Sequence, residues 1–277
     1  MTDVNHPDPT LIAHRGFAGE NPENTVEAAE RAASRRADWI EVDVMPTADG
    51  DVVVVHDAEL SGRDGRGLTD ATGVVWETDT ATVTAAEVLD SGETVPLLTD
   101  VLDAVPAGVG VNVELKNPGR WDLRPGEKLA AETLAERTAV WRPFVDRVLD
   151  ALKGYEHDIL CSSFCEGALA AVRDRSSLPV APLISHSIED GLSIAREHDA
   201  AAIHPPIDAI RGTPFFETER FGDADGDESG PESIVAAAHG EGRAVNVWTV
   251  QTWYQADRLA AAGVDGVIAD YSTLRRD

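Results

Sequence analysis

The sequence predicts a closed barrel of eight parallel strands with alternating helices, the (β/α)8 or TIM barrel. Short apolar segments alternate with helical patterns along the chain, which is typical of this architecture. The length of 277 residues is close to the roughly 250 that one such barrel needs. Polar residues also stand at the C-terminal ends of several apolar segments, where barrel enzymes carry their active groups.

The strands are expected at regular intervals. The eight predicted barrel strands are residues 11–16, 39–46, 109–116, 159–164, 180–185, 201–206, 244–250 and 266–270. A further strand at 52–57 follows the tight turn at 47–51, so it is expected to form a hairpin with 39–46. The alternative is an open, doubly wound sheet, although no GxGxxG follows the first strand as a dinucleotide site would require.

Helical patterns fill most of the intervals between these strands. The predicted helices are residues 25–36, 99–105, 127–137, 142–153, 188–198, 231–241 and 252–262. Asn24 or Thr25 is expected to cap the first of them. Residues 58–95 are rich in Gly, Thr and Asp with little periodicity. They are predicted to form an inserted loop or small subdomain within a single domain that spans 1–277.

The charge balance is strongly acidic. Fifty acidic residues face 23 basic ones, of which only three are Lys, giving a formal net charge of −27. Such a chain repels itself unless salt screens it, so we expect a protein of a salt-accumulating, halophilic cell. Nucleic acid and stable membrane association are not expected, because both depend on basic patches.

Two further features bear on location. The segment MTDVNHPDPT lacks a basic region followed by an apolar run, and no stretch of about 18 apolar residues occurs. A cytoplasmic location is therefore expected.

Two other segments invite a metal or redox interpretation that their spacing disfavours. Cys161 and Cys165 are expected to point to the same side of a strand, too far apart to bridge, and to pack in the core. The acidic run 222–232 resembles a calcium loop, but Glu228 and Ile234 stand where an EF-hand needs Gly and Glu. It is expected to be a solvated loop.

Three carboxylates are predicted to meet in the barrel mouth. Glu41 and Asp43 share one face at the end of the second strand, and Glu114 ends the third. Buried together they would repel one another, so we expect one divalent cation between them. Oxygen ligands favour a hard ion, Mg²⁺, Ca²⁺ or Mn²⁺.

The same strand ends carry groups suited to an oxyanion and to proton transfer. Arg15 and Lys116 are expected to bind a phosphoryl group, by forked hydrogen bonds and as a point charge respectively. His14 ends the first strand, and the hairpin returns His56 to the level of the carboxylates. Two imidazoles suit the proton transfers at the attacking and leaving oxygens of a phosphodiester.

These motifs resemble one known family. HRG, PENT, EVDV, HD, ELK and WTV occur in the order, and at roughly the spacing, of the glycerophosphodiester phosphodiesterases, from Leu11 to about Asp270. The resemblance implies a TIM barrel with a small insertion after HD, and a small-molecule glycerophosphodiester substrate cleaved to an alcohol and sn-glycerol 3-phosphate. It implies as catalytic residues His14 and His56, as metal ligands Glu41, Asp43 and Glu114, and as phosphate contacts Arg15 and Lys116.

Several other residues have two interpretations each. Trp248 is expected either to pack over the substrate or to close the barrel top, and Phe164 either to line the pocket or to pack in the core. Glu23 is a candidate for orienting a group that contacts the substrate. Helix capping explains Asn24 and Thr25 as well as a substrate role does. Among the other histidines, His204 is a weaker site candidate, and His157, His186, His198 and His239 are expected to be surface or structural.

Two alternative functions stay open. One is a phospholipase-type phosphodiesterase acting on inositol or sphingoid phosphodiesters, which would need an apolar rim. The other is a barrel that binds a phosphate ligand without turnover. The sequence predicts neither the alcohol head group, nor the preferred ion, nor the oligomeric state.

Overall fold

Strands alternate with helices throughout the described chain. The computed structural model describes residues 8–222 and 233–274. Its strands are β1 (Thr10–His14), β2 (Trp39–Pro46), β3 (Val52–Val54), β4 (Gly110–Leu115), β5 (Ile159–Ser163), β6 (Val180–Pro182), β7 (Ala202–Ile203), β8 (Ala244–Val250) and β9 (Gly266–Ala269). Strand β3 is antiparallel to β2, and the other eight run parallel in the order β6-β5-β4-β2-β1-β9-β8-β7.

The two end strands of this order meet and complete a ring. The Ala201 amide donates to the Val180 carbonyl at 3.0 Å, and the His204 amide donates to the Pro182 carbonyl at 2.9 Å. A parallel bridge joins Leu183 to His204. The predicted eight-stranded barrel is therefore confirmed, and the open-sheet alternative is wrong.

Helices cover the outside of the ring. They are α1 (Val26–Ser34), α2 (Thr80–Thr84), α3 (Leu98–Ala104), α4 (Ala131–Ala151), α5 (Glu166–Arg175), α6 (Ile188–Glu197), α7 (Thr218–Phe221), α8 (Ile234–Gly240) and α9 (Trp253–Ala261). Ile40, Val42 and Val44 of β2 face outward into the main hydrophobic cluster beneath these helices. Because side chains alternate along a strand, Glu41 and Asp43 must then face the barrel interior.

One predicted pair of helices is wrong. Instead of helices at 127–137 and 142–153, the single helix α4 runs through Pro143. An interior proline costs about 3 kcal/mol. Burying one large apolar side chain stabilises the fold by about 1.5–3 kcal/mol. Because α4 buries several such side chains on one stripe, their total contribution exceeds the cost of the proline. The buried stripe consists of Thr138, Trp141, Phe144, Val145 and Val148.

The segment 58–95 packs as a unit against the β2–β3 hairpin. Its apolar side chains, including Leu60, Leu68 and Val75, form a second hydrophobic cluster with Met45 and Val53 of the hairpin. The insertion thus has its own small core, and the hairpin holds that core at the rim of the barrel.

The two cysteines are free and buried, as predicted. Burial raises the pKa of both thiols to about 12, which leaves them protonated and unreactive. The acidic run 222–232 lies, from 223 onward, outside the described residues. None of the helices in the described ranges combines the length and apolar character needed to cross a bilayer.

Salt is expected to stabilise this fold. Since 50 acidic residues face 23 basic ones, at least 27 carboxylates carry charge that no basic side chain balances. Lowering KCl from molar to millimolar lengthens the Debye length from about 3 Å to over 30 Å. We expect the melting temperature to fall by at least about 5 °C, equivalent to roughly 2 kcal/mol in a chain of this size. Sucrose, which does not screen charge, is the control. An equal melting temperature at both KCl concentrations would contradict the halophilic prediction.

Candidate active site

Three buried carboxylates meet in the barrel mouth. In the register between β2 and β4, Asp43 is paired with Glu114. One oxygen from each of Glu41, Asp43 and Glu114 can be chosen so that all three lie within 4.8 Å of one another. Oxygen ligands on opposite sides of a bound Ca²⁺ stand about 4.6–5.2 Å apart, so this spacing fits a single hard cation.

Glu41 is the carboxylate that most lacks a partner. It accepts a hydrogen bond from the Arg15 backbone amide at 3.0 Å through Oε2. Its Oε1 is buried and has no hydrogen-bond partner, and no ion pair to Glu41 occurs among residues 8–222 and 233–274. Burial raises the pKa of Glu41 well above its usual range, and Asp43 and Glu114 raise it further. A divalent cation would supply the missing partner.

Asp43, by contrast, is surrounded by cations and donors. Arg15 Nε lies 3.1 Å from Asp43 Oδ2, and Lys116 Nζ lies 3.5 Å from Oδ1. Asn24 donates to Oδ2 at 3.0 Å. Burial alone would raise the pKa of Asp43, but Lys116, Arg15 and His56 together hold it well below its usual range. Asp43 is therefore ionised at neutral pH.

The loop after β1 fixes Arg15. Arg15 and Gly16 both have positive φ, 51° and 77°. A Cβ at Gly16 would stand 2.7 Å from the Ala28 side chain, so only glycine allows the loop to lie this close to α1. Glu23 accepts from Arg15 Nη1 at 2.9 Å. The side chain of Glu23 thus orients Arg15, one of the roles considered for it.

Lys116 follows the last residue of β4 and lies between two carboxylates. Its Nζ is 2.7 Å from Glu114 Oε1. Burial would lower the pKa of Lys116, but Glu114 and Asp43 outweigh burial and raise it. Lys116 and Arg15 (whose pKa is raised in the same way) therefore keep their positive charges beside the carboxylates.

Each of the two candidate histidines contacts a carboxylate through Nδ1. His14 Nδ1 lies 2.7 Å from Asp270 Oδ1, and His56 Nδ1 lies 2.8 Å from Asp57 Oδ1. Gln251 Nε2 donates to the second oxygen of Asp270 at 2.7 Å. Burial alone would raise the pKa of both carboxyls, but the hydrogen bonds lower it, so both stay ionised acceptors. An ionised acceptor places a proton on Nδ1 and leaves Nε2 for the cavity.

Sequence reasoning did not assign Asp57 and Asp270 to the site. Asp57 is the residue after His56, and Asp270 follows β9 at a strand end, where the other candidates were found. The strand-end rule therefore contained the signal for Asp270. The pairing with His14 joins residues 256 positions apart, which only the closed barrel brings together.

Trp248 and Phe164 form an aromatic wall at the mouth. Their rings meet edge to face at 5.5 Å between centroids. Trp248 Nε1 donates to the His204 carbonyl at 2.7 Å, which fixes the indole. The His204 side chain itself is fully buried and contacts Asn246 Nδ2 at 3.1 Å. Burial lowers the pKa of His204 to about 3, so this imidazole is neutral and lies outside the cavity lining.

Of the two capping candidates, Thr25 caps α1. Its Oγ1 accepts from the Ala28 amide at 3.1 Å. Asn24 instead has a positive φ of 60° and turns its side chain to Asp43, so its role is to hold that carboxylate.

The predicted site residues surround one cavity of about 490 Å³. Its lining includes His14, Arg15, Glu41, His56, Glu114, Lys116, Phe164 and Trp248, together with Arg63 and Asn112, which sequence reasoning did not assign to the site. Asp43 lies directly behind this lining. His157, His186, His198 and His239 lie outside this lining, and two of them contact carboxylates, His198 with Glu166 at 3.0 Å and His239 with Asp265 at 2.7 Å.

Comparison with known proteins finds the same family along nearly the whole chain. A model of the glycerophosphoryl diester phosphodiesterase family matches residues 14–274. The glycerophosphodiester phosphodiesterase of Bacillus altitudinis is 27% identical over 94% of this chain and 94% of its own. That of Caldanaerobacter subterraneus is 28% identical over 94% of this chain and 93% of its own.

Solved structures share the barrel. A phosphodiesterase from Oleispira antarctica, in complex with the product sn-glycerol-3-phosphate, has a TM-score of 0.73 at 24% identity and covers 96% of this chain and 95% of its own. The glycerophosphodiester phosphodiesterase from Thermotoga maritima has a TM-score of 0.68 at 22% identity, with 98% of both chains covered. At these identities the likeness establishes the fold.

Proposed function

Because this chain belongs to the glycerophosphoryl diester phosphodiesterase family, we propose that it hydrolyses soluble glycerophosphodiesters in the barrel mouth with two histidines and one divalent cation. The chain is an enzyme of the glycerophosphodiester phosphodiesterase class. We infer the metal dependence, the roles of the two histidines and the substrate contacts from the geometry of the barrel mouth.

The cationic side chains bind the phosphate. Arg15 and Lys116 stand on either side of Asp43 and line the cavity with fixed positive charge. They bind the nonbridging phosphate oxygens and neutralise the charge that develops as the phosphorus–oxygen bond breaks. Trp248 and Phe164 pack against the carbon atoms of the glycerol.

The two histidines exchange protons with the reacting oxygens. One takes the proton from the attacking hydroxyl through Nε2, and the other gives its Nε2 proton to the leaving alkoxide. Asp270 and Asp57 act as positioning residues, since each holds Nδ1 and so fixes both the tautomer and the orientation of its ring.

Glu41, Asp43 and Glu114 are the residues that would hold the cation. When bound there, a divalent ion neutralises phosphate charge and lowers the pKa of an attacking hydroxyl. The unpartnered buried Oε1 of Glu41 supports this assignment.

The arrangement of these groups around one cavity is the observation that most supports the proposal. Two carboxylate-held histidines, two cationic side chains and Glu41 and Glu114 line the same cavity, and Asp43 completes the carboxylate cluster behind its wall. The test is release of sn-glycerol 3-phosphate from glycerophosphocholine and glycerophosphoethanolamine in high KCl with Mg²⁺, Mn²⁺ or Ca²⁺. Tight binding of glycerol phosphate without release under any ion would favour the non-catalytic alternative, and activity on micellar lipid alone would favour the phospholipase alternative.

Replacing Asp270 by Asn is expected to lower kcat by at least about tenfold, the usual cost of losing a carboxylate that orients a catalytic histidine. The amide can donate to Nδ1 and so select the wrong tautomer of His14. The Michaelis constant should change little, because Asp270 does not line the cavity. Steady-state kinetics on glycerophosphocholine measure both constants.

A matched control for this variant exists on the surface. Asp265 contacts His239 at 2.7 Å, the same distance as the Asp270–His14 contact, but outside the cavity. Asp265→Asn should leave kcat unchanged. If both variants lower kcat equally, or if Asp270→Asn raises only the Michaelis constant, Asp270 does not position His14.

The expected partners are small. We propose that barrel and insertion act as one domain on a soluble diester, without nucleic acid or stable membrane association, because the acidic surface repels both. A cytoplasmic location stays a prediction of the sequence.

A further inference from the structure

An arginine of the insertion, Arg66, contacts the carboxylates that hold two groups of the active site. Its Nη2 atom lies 3.2 Å from Asp57 Oδ2 and 3.2 Å from Glu23 Oε1. Asp57 contacts His56 Nδ1 at 2.8 Å through its other oxygen, Oδ1. Glu23 Oε1 also accepts from Arg15 Nη1 at 2.9 Å. One guanidinium nitrogen therefore stands between the carboxylate that holds a candidate proton-transfer group and the carboxylate that holds a candidate phosphate-binding group.

These two carboxylates need a cation between them. The side chains of Glu23 and Asp57 are only 11% and 6% exposed, and both contact the same nitrogen of Arg66, so their oxygens stand close together. Like charges that are close and shielded from water repel each other strongly. Without Arg66 we expect at least one of the carboxylates to turn away and to release the ring or the guanidinium that it holds.

The loop around Arg66 fixes the position of this side chain. The amides of Gly67 and Leu68 donate to the Ser61 carbonyl at 2.9 and 3.0 Å, which closes the loop. Gly62 has a φ of 81°, and a Cβ there would stand 2.8 Å from Arg66 Cγ, so glycine leaves room for the arginine. Leu68 is buried in the small core of the insertion. The arginine side chain is 45% exposed, but its backbone is held by these contacts.

We propose that Arg66 is a positioning residue of the reaction, through which the insertion orients His56 and Arg15 together. It acts on His56 through Asp57 and on Arg15 through Glu23, and it does not itself line the cavity of the barrel mouth. This assignment rests on the proposed function and adds to it a residue that contacts neither the substrate nor the reacting atoms.

The two contacts of Arg66 affect different constants. A poorly oriented His56 slows proton transfer and so lowers kcat. A poorly oriented Arg15 binds phosphate oxygens less well, which raises the inhibition constant of the product sn-glycerol 3-phosphate. A variant that only reduces the fraction of folded enzyme lowers kcat but leaves the inhibition constant unchanged. The inhibition constant therefore separates a positioning role from a purely structural one.

The test replaces Arg66 by Gln and measures both constants with glycerophosphocholine in high KCl at saturating cation. We expect kcat to fall about tenfold, the lower end of the cost of losing an outer partner of a site. The inhibition constant should rise about threefold, within the usual value of one partly exposed ion pair. Arg66→Lys should keep most of both constants, because a single nitrogen makes both contacts.

A double variant shows whether Arg66 acts on phosphate binding through Glu23. In a Glu23→Gln background, Arg66→Gln should leave the inhibition constant unchanged, because the charged side chain that transmits its effect is already lost. A further rise of about threefold in that background would show that the two residues act independently, and it would overturn the assignment.

A matched control lies on the outer helices. Arg142 of α4 is also 45% exposed and pairs with Asp174 at 2.7 Å, outside the cavity, so Arg142→Gln should keep both constants. The assignment would be overturned by equal losses in the Arg66→Gln and Arg142→Gln variants, or by an Arg66→Lys variant as impaired as Arg66→Gln. Changes below about twofold in both constants for Arg66→Gln would also overturn it. Absence of hydrolysis by the unmodified enzyme would instead reject the proposed function.

Discussion

Replacing His14 by alanine is expected to lower kcat by at least about a hundredfold, the usual worth of a general acid or base. The ring is held by Asp270 at 2.7 Å and lines the same cavity as the carboxylate cluster. In the proposed mechanism, alanine removes the imidazole nitrogen that exchanges a proton with one of the reacting oxygens. The measurement is release of sn-glycerol 3-phosphate from glycerophosphocholine at saturating substrate and cation.

The control for this variant is a histidine that also contacts an aspartate but lies outside the cavity. His239 contacts Asp265 at the same distance but lies outside the cavity, so His239→Ala should retain kcat. Melting temperatures of both variants show whether the fold is intact. A loss smaller than about threefold for His14→Ala, in a folded protein, is too little for a general acid or base and would remove His14 from the mechanism.

The barrel and its carboxylates could be predicted because both follow local rules. Side chains alternate along a strand, so Glu41 and Asp43 had to share a face once 39–46 was identified as a strand. The turn at 47–51 then fixed the hairpin register, in which the Val55 amide donates to the Asp43 carbonyl at 2.9 Å. That register returns His56 to the level of the carboxylates.

The contact that orients His14 could not be predicted in the same way. The His14–Asp270 contact depends on the pairing of β1 with β9, which exists only when the ring closes. Helix α4 was divided wrongly between residues 137 and 142, because a local helical pattern does not show that Thr138 and Trp141 continue the buried stripe that includes Phe144.

A cavity of about 530 Å³ beside the barrel mouth, between the insertion and the loop after β4, could not be predicted from the sequence for another reason. Its walls come from the insertion and from the loop after β4, two segments without periodicity. Trp121 stands beside Trp76 only because the insertion folds back over that loop. Specificity is thus expected to vary with these loops while the strand ends keep the chemistry, as is common in this barrel.

Removing divalent cations with EDTA is expected to abolish hydrolysis, and Mg²⁺, Ca²⁺ or Mn²⁺ should restore it. Three buried carboxylates meet here, and Arg15 and Lys116 pair with Asp43 and Glu114 but not with Glu41. The folded protein therefore keeps the Glu41 proton to a higher pH than the unfolded chain does. Without a cation, stability should fall as pH rises above about 4.3, the unfolded pKa of a glutamate.

A thermal readout makes this prediction independent of turnover. A cation at a hundred times its dissociation constant stabilises the folded state by about 2.7 kcal/mol, which thermal unfolding at neutral pH detects as a higher melting temperature. Glu41→Gln should lose most of this response. Without cation the variant should be at least as stable as the unmodified protein, since it removes one charge from a like-charged cluster.

A matched control for Glu41 comes from a second cluster of possible metal ligands. Among the described residues this cluster consists of Glu166, Glu197 and His198. In that cluster Lys128 Nζ lies 2.8 Å from both Glu166 and Glu197, so the ammonium group of Lys128 already balances these carboxylates. Glu197→Gln should therefore keep both the cation-dependent melting shift and the activity. Full activity after EDTA and dialysis, with no melting shift on adding cation, would show that Arg15 and Lys116 suffice to balance the three carboxylates.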